Sequence, residues 1–286
     1  DGERHGEQAA TADALEAAWD RIGAPALLKT SRLGYDGKGQ AVVDRIEDAR
    51  LAFERFGAVA CVLERRLDLE TEVSVVLARG TDGIVAAFPV GENVHRNGIL
   101  HTTLVPATVT NAVARMALET ATRVADELEF VGVLGVEMFV ADGGRIFVNE
   151  IAPRPHNSGH YTMNACATNQ FEQQVRAVAG LPLGSPHLYS PVCMINLLGD
   201  LWSGGEPRWS EALRLPGVSL HLYGKTMVRP GRKMGHLNCL APSAVEALDL
   251  ANHAFLALHR AGPDRLAPPP HPPGGAAWPS AAKGRG

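Results

Sequence analysis

The sequence predicts a mixed α/β (α+β) chain of two lobes followed by a smaller C-terminal α/β domain. Three observations carry that expectation. A strand, a glycine-rich loop and a second strand stand near the start. Two long apolar runs at 133–140 and 145–151 form a hairpin between helical segments. A strand and helix pattern then resumes after Leu183. At 286 residues, 45% of them hydrophobic and 20% charged, the chain can bury a core in two or three lobes.

The elements follow in order. Residues 1–23 hold an N-terminal helix and linker, with a helix over Thr11 to Ile22 that puts Ala, Leu and Trp19 on one face. Residues 24–88 read as a small lobe of strand, glycine loop, strand, helix Glu47–Phe56 and two or three further strands. Residues 89–183 read as a larger lobe, with a strand near Thr102–Val105, helix Asn111–Glu127, the hairpin and helix Met163–Ala179. Residues 184–262 add a strand at Val192–Leu198, a short helix, a strand at Val218–Tyr223 and helix Ala244–Arg260. From 263 to 286 Pro, Gly and Ala dominate, a composition that reads as a disordered tail.

In the first strand unit, Ala26-Leu27-Leu28 delivers Lys29, and Gly34, Gly37 and Gly39 fall within six residues before Ala41-Val42-Val43. Glycines let backbone N–H groups approach an anion with no Cβ in the way, and Lys29 and Lys38 add point charges suited to a triphosphate. The spacing is neither Walker nor Rossmann, because no helix follows and the order of glycines and lysine differs. A lone loop of this kind is equally what an ordinary hairpin looks like.

The second constellation is the hairpin, with Asp142-Gly143-Gly144 as its turn signal. A two-residue turn at Gly143-Gly144 sets Ala141 opposite Ile146, Phe139 opposite Val148 and Glu137 opposite Glu150. Facing carboxylates repel, so a cation belongs between them. Oxygen donors of this number suit Mg²⁺, which takes one or two carboxylates and completes its shell with substrate phosphates. A solvated sheet edge, or a one-residue slip, is the competing explanation.

The third cluster, Asn149-Glu150-Ile151-Ala152-Pro153-Arg154-Pro155-His156-Asn157-Ser158-Gly159-His160, concentrates arginine, imidazole and amide groups where a strand enters a loop. His156 and His160 have the spacing of a helical zinc pair, but Pro153, Pro155 and Gly159 oppose a helix there. A fork of Arg154, His156 and Asn157 around a small planar anion fits better.

Taken together, GYDGKGQ (34–40), ENVHRNGIL (92–100), GVEMFV (135–140), NEIAPRPHNSGH (149–160) and YGKTMVRPGRKMGHLN (223–238) resemble the N5-carboxyaminoimidazole ribonucleotide synthetases of the ATP-grasp superfamily. The resemblance runs from about Gly23 to about Gly262, and its last two motifs are specific to these enzymes. It implies an ATP-grasp fold and a ligase of purine biosynthesis. Bicarbonate attacks the γ-phosphate of ATP to give carboxyphosphate, and the amine of 5-aminoimidazole ribonucleotide is then carboxylated. It also implies ATP and Mg²⁺ as cofactors, with Mn²⁺ as a substitute, and a homodimer.

Matched motif by motif, the resemblance implies an ATP phosphate clamp of Lys29 with Gly34, Tyr35, Asp36, Gly37, Lys38, Gly39 and Gln40. Glu64 resembles the adenine-hinge residue, continued by Arg65, Arg66 and Leu67. Glu72 resembles the ribose-binding acid and His95 a nucleotide contact. Glu137 and Glu150 resemble the magnesium ligands, with Asn149 beside them. Arg154, His156 and Asn157 resemble the bicarbonate and carboxyphosphate site, and Lys225 with Arg232 the pair on the ribonucleotide phosphate. Phosphoryl transfer needs charge neutralisation and alignment, which these residue types supply. Glu64 and Glu72 could equally be polar strand ends, and His95 an ordinary loop histidine. The group Lys225, Arg229, Arg232 and Lys233 could be a solvated face, but Pro230-Gly231 makes it a tight loop, which favours an anion.

Composition excludes other classes. The net charge of −4, with no long basic run, argues against nucleic acid. Cys61, Cys166, Cys193 and Cys239 form no CxxC pair and read as reduced thiols. No apolar run approaches a membrane span and the opening residues form no signal peptide, so the cytoplasm is expected.

One departure from the family pattern stands out. These enzymes begin with a Rossmann-like domain of roughly a hundred residues, and the present sequence opens with Asp1 downstream of that point. Either the sequence is a fragment, or a separate chain supplies that lobe. Two other functions compete: a biotin-carboxylase-like or formate-dependent ATP-grasp ligase, and a nucleotide-binding remnant or interaction module without turnover.

Overall fold

The computed structural model describes residues 6–32 and 39–259. Gly34, Tyr35, Asp36, Gly37 and Lys38 of the glycine loop, and the tail at 263–286, lie outside the described residues.

The small lobe is built from β1 (Gly6–Ala9), α1 (Ala12–Ile22), β2 (Ala26–Thr30), β3 (Gln40–Val43), α2 (Ile46–Arg55) and β4 (Cys61–Arg65). Its sheet runs β1-β4-β2-β3 with every pair antiparallel. Thr11 starts α1 by accepting from the Ala14 N–H, one of the donors a helix start leaves unpaired. The two helices lay Leu15, Ala18, Ala49 and Phe53 against Leu28, Val43 and Leu63. Because strand side chains alternate, a β2 strand that buries Leu28 must turn Leu27 and Lys29 to its open face. The register puts Leu27 opposite Glu64 and Lys29 opposite Val62. Lys29 and Glu64 are therefore diagonal neighbours on that open face.

The second sheet takes β5 (Leu69–Arg79), β6 (Val85–Ala87), β7 (Gly91–Arg96), β8 (Ile99–Val105), then, after α3 (Asn111–Glu127), β9 (Gly132–Ala141) and β10 (Arg145–Ala152). A short α4 (Thr162–Ala165), α5 (Gln170–Val178), β11 (Val192–Leu198), α6 (Trp209–Leu213), β12 (Val218–Leu222), β13 (Lys233–Leu240) and α7 (Ala244–Leu258) complete the described chain. The strand path is β10-β9-β5-β7-β8-β11-β13-β12, with β6 paired to β5. On one face α3 packs Ala117, Ala121 and Ala125, small residues that allow close approach, onto Val73, Val75, Leu134 and Val136. The opposite face of β5 and β9 carries Val76, Ala78 and Val133, covered by Tyr161 and Ala165. Glu72, Glu137 and Phe139 share that second face by parity. On the C-terminal strands α7 packs Ala247, Ala251 and Ala254 onto Ile195, Leu197 and Leu237.

Several expectations change in this frame. Residues 6–9 and α1 belong to the small-lobe sheet, where β1 pairs with β4, and are not a linker. The lobe boundary expected at 88 falls before Leu69, because β5 pairs with β9 and β7 in the large sheet. The region expected as a C-terminal domain continues the same sheet, because β11 pairs with β8. The helix expected over Met163–Ala179 is broken at 166–169. There the Asn169 side chain accepts from the Phe171 and Glu172 N–H groups and starts α5 afresh. β1, β7 and β13 are strands that the sequence reading does not predict, and His95, expected in a loop, lies on β7.

Candidate functional site

A cleft of about 790 Å³ lies between the open face of the small-lobe sheet and the second face of the large sheet. Lys29, Gly39, Gln40 and Glu64 line it from the small lobe. Glu72, His95, Glu137 and Phe139 line its floor, and Asn149, Glu150, Arg154, His156 and Lys233 its far end. Lys29 Nζ is 2.5 Å from Glu64 Oε2 and 3.4 Å from Asn149 Oδ1, so it bridges the two lobes.

The carboxylate pair arises by a different route from the one expected. The turn uses three residues, Asp142, Gly143 and Gly144, all with positive φ. Arg145 therefore faces Ala141 and Phe147 faces Phe139, one residue out of the expected register. The cause is Glu70, whose Oε1 accepts from the Gly143 and Gly144 N–H groups at 2.6 and 3.2 Å and stabilises the wider turn. A bulge between Val148 and Glu150 then absorbs the offset and restores Glu150 opposite Glu137. Asn149 is the extra residue of that bulge, which is how its amide comes to reach Lys29.

Burial pushes the Glu137 carboxyl up, the charges of Glu150 and Glu72 push it further, and His95 and Lys233 partly offset this. His95 Nδ1 stands 2.8 Å from Glu72 Oε2. Burial alone lowers the His95 pKa, but the Glu72 contact and charge, with Glu137, leave it raised. His156 Nε2 lies 3.7 Å from Glu137 Oε1. Burial, then the charges of Arg154 and Lys233, drive His156 down to about 3, so the ring is neutral around pH 7. Among the described residues no group of three or more His, Cys, Asp or Glu is placed to hold a metal. The donors facing one another here are two carboxylates. They repel and raise Glu137, the situation that a cation with phosphate ligands relieves.

The remaining expected site residues divide. Arg154 and His156 face the cleft, whereas the Asn157 amide is taken by Asn196: Asn157 Nδ2 donates to Asn196 Oδ1 at 3.0 Å and Asn196 Nδ2 to Asn157 Oδ1 at 2.7 Å. The three-membered fork thus reduces to two groups on the cleft wall. Arg65, Arg66 and Leu67 are not among the cleft-lining residues. Glu64 spends its carboxylate on Lys29. Lys225 and Arg232 sit in the loop before β13, where Lys225 Nζ donates to Lys233 O at 2.6 Å and Arg232 Nη1 to Met227 O at 2.8 Å. Partial burial, then the charges of Arg232 and Lys233, lower the Lys225 pKa. Three cations thus lie within electrostatic reach of one another, one of them on the cleft wall.

Lys233 is the cleft residue that motif reading placed in the basic loop without a role. Its place directly after Arg232, beside the Pro230-Gly231 turn, is the sequence signal that marks it, and the structure adds that it opens β13. Phe139 was also missed, although it shares Glu137's parity on β9. The closeness of Gly135 to His156 has no local signal. A Cβ at residue 135 would stand 2.7 Å from the His156 Cβ, so glycine is what lets the loop lie on the strand.

Comparison with known proteins agrees with this architecture. A family model of the ATP-grasp domain matches residues 6–171, and one of the phosphoribosylaminoimidazole carboxylase C-terminal domain matches 192–249. The chain is 44% identical over 227 residues to N5-carboxyaminoimidazole ribonucleotide synthase of Bacillus subtilis, covering 79% of this chain and 59% of that protein. Structurally it is similar to N5-carboxyaminoimidazole ribonucleotide synthetase of Thermus thermophilus, with 38% identity, a TM-score of 0.80 and coverage of 91% of this chain and 69% of that one. It is also similar to the Aspergillus clavatus N5-carboxyaminoimidazole synthase solved with ADP and 5-aminoimidazole ribonucleotide, with 31% identity, a TM-score of 0.78 and coverage of 88% and 67%. The chain spans about three-fifths of the length of the Bacillus subtilis relative. On the combined evidence of cleft, sheet topology and these matches, the chain belongs to the ATP-grasp family of N5-carboxyaminoimidazole ribonucleotide synthetases.

Proposed function

We propose that this chain carries the nucleotide and carboxyphosphate half of an ATP- and bicarbonate-dependent carboxylation of 5-aminoimidazole ribonucleotide, a step of purine biosynthesis. The observation that carries the reading is the convergence of Lys29, the Glu137/Glu150 pair and Arg154 with His156 on one cleft. Lys29 and the Gly39–Gln40 end of the glycine loop hold ATP phosphates, while Glu72 and His95 contact the nucleoside. Glu137 and Glu150 would hold Mg²⁺, or Mn²⁺ in its place, which supplies charge neutralisation to the triphosphate when bound.

Arg154 holds bicarbonate as an anion, and neutral His156 hydrogen-bonds it. A bicarbonate oxygen attacks the γ-phosphorus, ADP leaves and carboxyphosphate forms. The exocyclic amine of the ribonucleotide then attacks the carboxyl carbon and inorganic phosphate leaves. Lys225 and Arg232 receive the ribonucleotide phosphate, Arg through its fork and Lys as a point charge. The Aspergillus clavatus complex with ADP and this ribonucleotide supports the substrate pair. The reading includes a cytoplasmic homodimer. Four buried free cysteines favour a reducing compartment, and no helix among the described residues is long and apolar enough to cross a membrane.

The test is ADP release by the purified chain with Mg²⁺ and ATP, with bicarbonate and ribonucleotide each added and withheld. Release should require bicarbonate, and with ribonucleotide present should match carboxylated product one for one. ADP release indifferent to bicarbonate overturns the reading. Sedimentation equilibrium reads the homodimer.

A further inference from the structure

The loop that presents Arg154 and His156 has no regular secondary structure between Ala152 and a single 3₁₀ turn at Asn157–Gly159, yet its backbone is held from below by one side chain. Gln170, the first residue of α5, is fully buried. Its Oε1 accepts from the His156 N–H at 2.8 Å, and its Nε2 donates to His156 O at 2.8 Å. The same Nε2 lies 2.8 Å from His160 Nδ1. Its own backbone N–H donates to Thr162 Oγ1, whose hydroxyl donates to Gly159 O at 2.6 Å. One carboxamide thus satisfies both backbone groups of His156, as a strand partner would, at a position where no strand is present. Gly159 leaves room for it, since a Cβ there would stand 2.6 Å from Gln170 Oε1 and 2.9 Å from its Cδ.

We infer that Gln170 is a positioning residue of the bicarbonate end of the cleft, fixing the His156 backbone and so the aim of the His156 ring and the neighbouring Arg154. This inference rests on the function proposed above for that end. Gln170 touches no cleft surface itself. Removing its amide strands the buried His156 N–H, which costs free energy when unpaired, and leaves His156 O with the Gly159 N–H as its remaining donor. The loop then relaxes, and displacement of a substrate-positioning group by about 1 Å can reduce turnover on the order of 100-fold. The groups proposed to hold the nucleotide, Lys29, Glu72 and His95, form no hydrogen bond with Gln170, whose amide is taken by His156 and His160.

The test compares the chain with its Gln170→Met and Gly159→Ala forms. The first keeps an unbranched side chain of similar length without hydrogen bonds, and the second displaces the amide without removing it. The expected result for both is a kcat for bicarbonate-dependent ADP release lowered at least tenfold, with KM for ATP within twofold. A role confined to stability would lower melting temperature and leave that split absent. If both variants keep kcat within twofold, or lose ATP affinity in proportion, the inference is overturned.

A second measurement needs no turnover. Amide hydrogen exchange should rise at 154–160 in each variant, while β9 keeps its protection. Unchanged exchange at His156 overturns the positioning role even if the unsubstituted chain releases no ADP, an outcome that would count against the proposed function alone.

Discussion

Gly135→Ala tests most directly whether the His156 side chain is locked against β9. The added methyl would meet His156 Cβ at 2.7 Å and Cγ at 2.9 Å, where ordinary contact begins near 3.4 Å. The gap must open by about 0.7 Å. His156 has little freedom to give it, because Nδ1 is 2.9 Å from Ser158 Oγ, the backbone is held by Gln170, and the residue is 9% exposed. Overpacking of this kind costs about 1–3 kcal/mol. For a domain of this size that corresponds to a fall in Tm of roughly 2–12 °C. A shift of the ring by most of an ångström should lower bicarbonate-dependent turnover on the order of 10- to 100-fold. ATP affinity, which the proposed function assigns chiefly to Lys29 and Glu72, should change less than twofold. Differential scanning fluorimetry, calorimetric titration of Mg²⁺·ATP and steady-state ADP release measure the three quantities. Unchanged Tm together with unchanged turnover would refute the account of how the loop lies on the strand.

Four further outcomes are expected. Lys29→Ala should weaken Mg²⁺·ATP binding by about 1.5–3 kcal/mol, the range for a charge-assisted hydrogen bond; calorimetry showing native affinity removes Lys29 from the phosphate clamp. Glu137→Gln and Glu150→Gln should each weaken Mg²⁺·ATP binding while leaving the apo chain as stable or more stable by up to about 1 kcal/mol, because facing like charges are relieved. A drop in apo Tm for both, with Mg²⁺ dependence intact, contradicts the pairing. Arg232→Ala should raise KM for 5-aminoimidazole ribonucleotide with KM for ATP nearly constant, and equal damage to both removes this loop from the ribonucleotide site. The last concerns acid stability. Burial, with Arg96 nearby, drives His101 down to about 4, whereas an unfolded histidine titrates near 6.5. The unfolded chain binds the extra proton, so this stability is full above pH 6.5 and is lost as pH falls from there towards 4, at up to about 1.4 kcal/mol per pH unit. His101→Phe should make the urea midpoint less steep across that window, and an unaltered slope rejects the neutral buried histidine.

Several elements that frame the cleft are legible in the sequence. The strand after Lys29, helix Asn111–Glu127 and strand Val192–Leu198 follow from apolar period and capping residues, and the structure places the last two at the bounds read from sequence. The sequence also sets Glu137 opposite Glu150, but through a turn one residue too short. Two offsets cancel: Glu70, some seventy residues from the turn, widens it, and the bulge at Asn149 takes the extra residue back. Local chemistry at Asp142-Gly143-Gly144 contains neither fact. The carboxylates face one another for reasons only half visible in the hairpin.

What the sequence by itself determined is the residue types of the cleft and the strand or loop each one sits on, because periodicity and turn chemistry act over a few neighbours. Tertiary structure alone decided which of them meet. Asn157 turns to Asn196 on β11 because the buried Asn196 carboxamide must find a partner, and the Asn157 amide is within reach of it. Lys233 enters the cleft because β13 is drawn between β11 and β12, burying Leu237 and Cys239 and so fixing where its first residue points. β5 leaves the small lobe because its run from Val73 to Ala78, apolar but for Ser74, is buried on both faces, and only the interior of the larger sheet can cover both. Long-range pairing of this kind depends on which surfaces remain to be buried after the local elements form, and a local pattern carries no information about that.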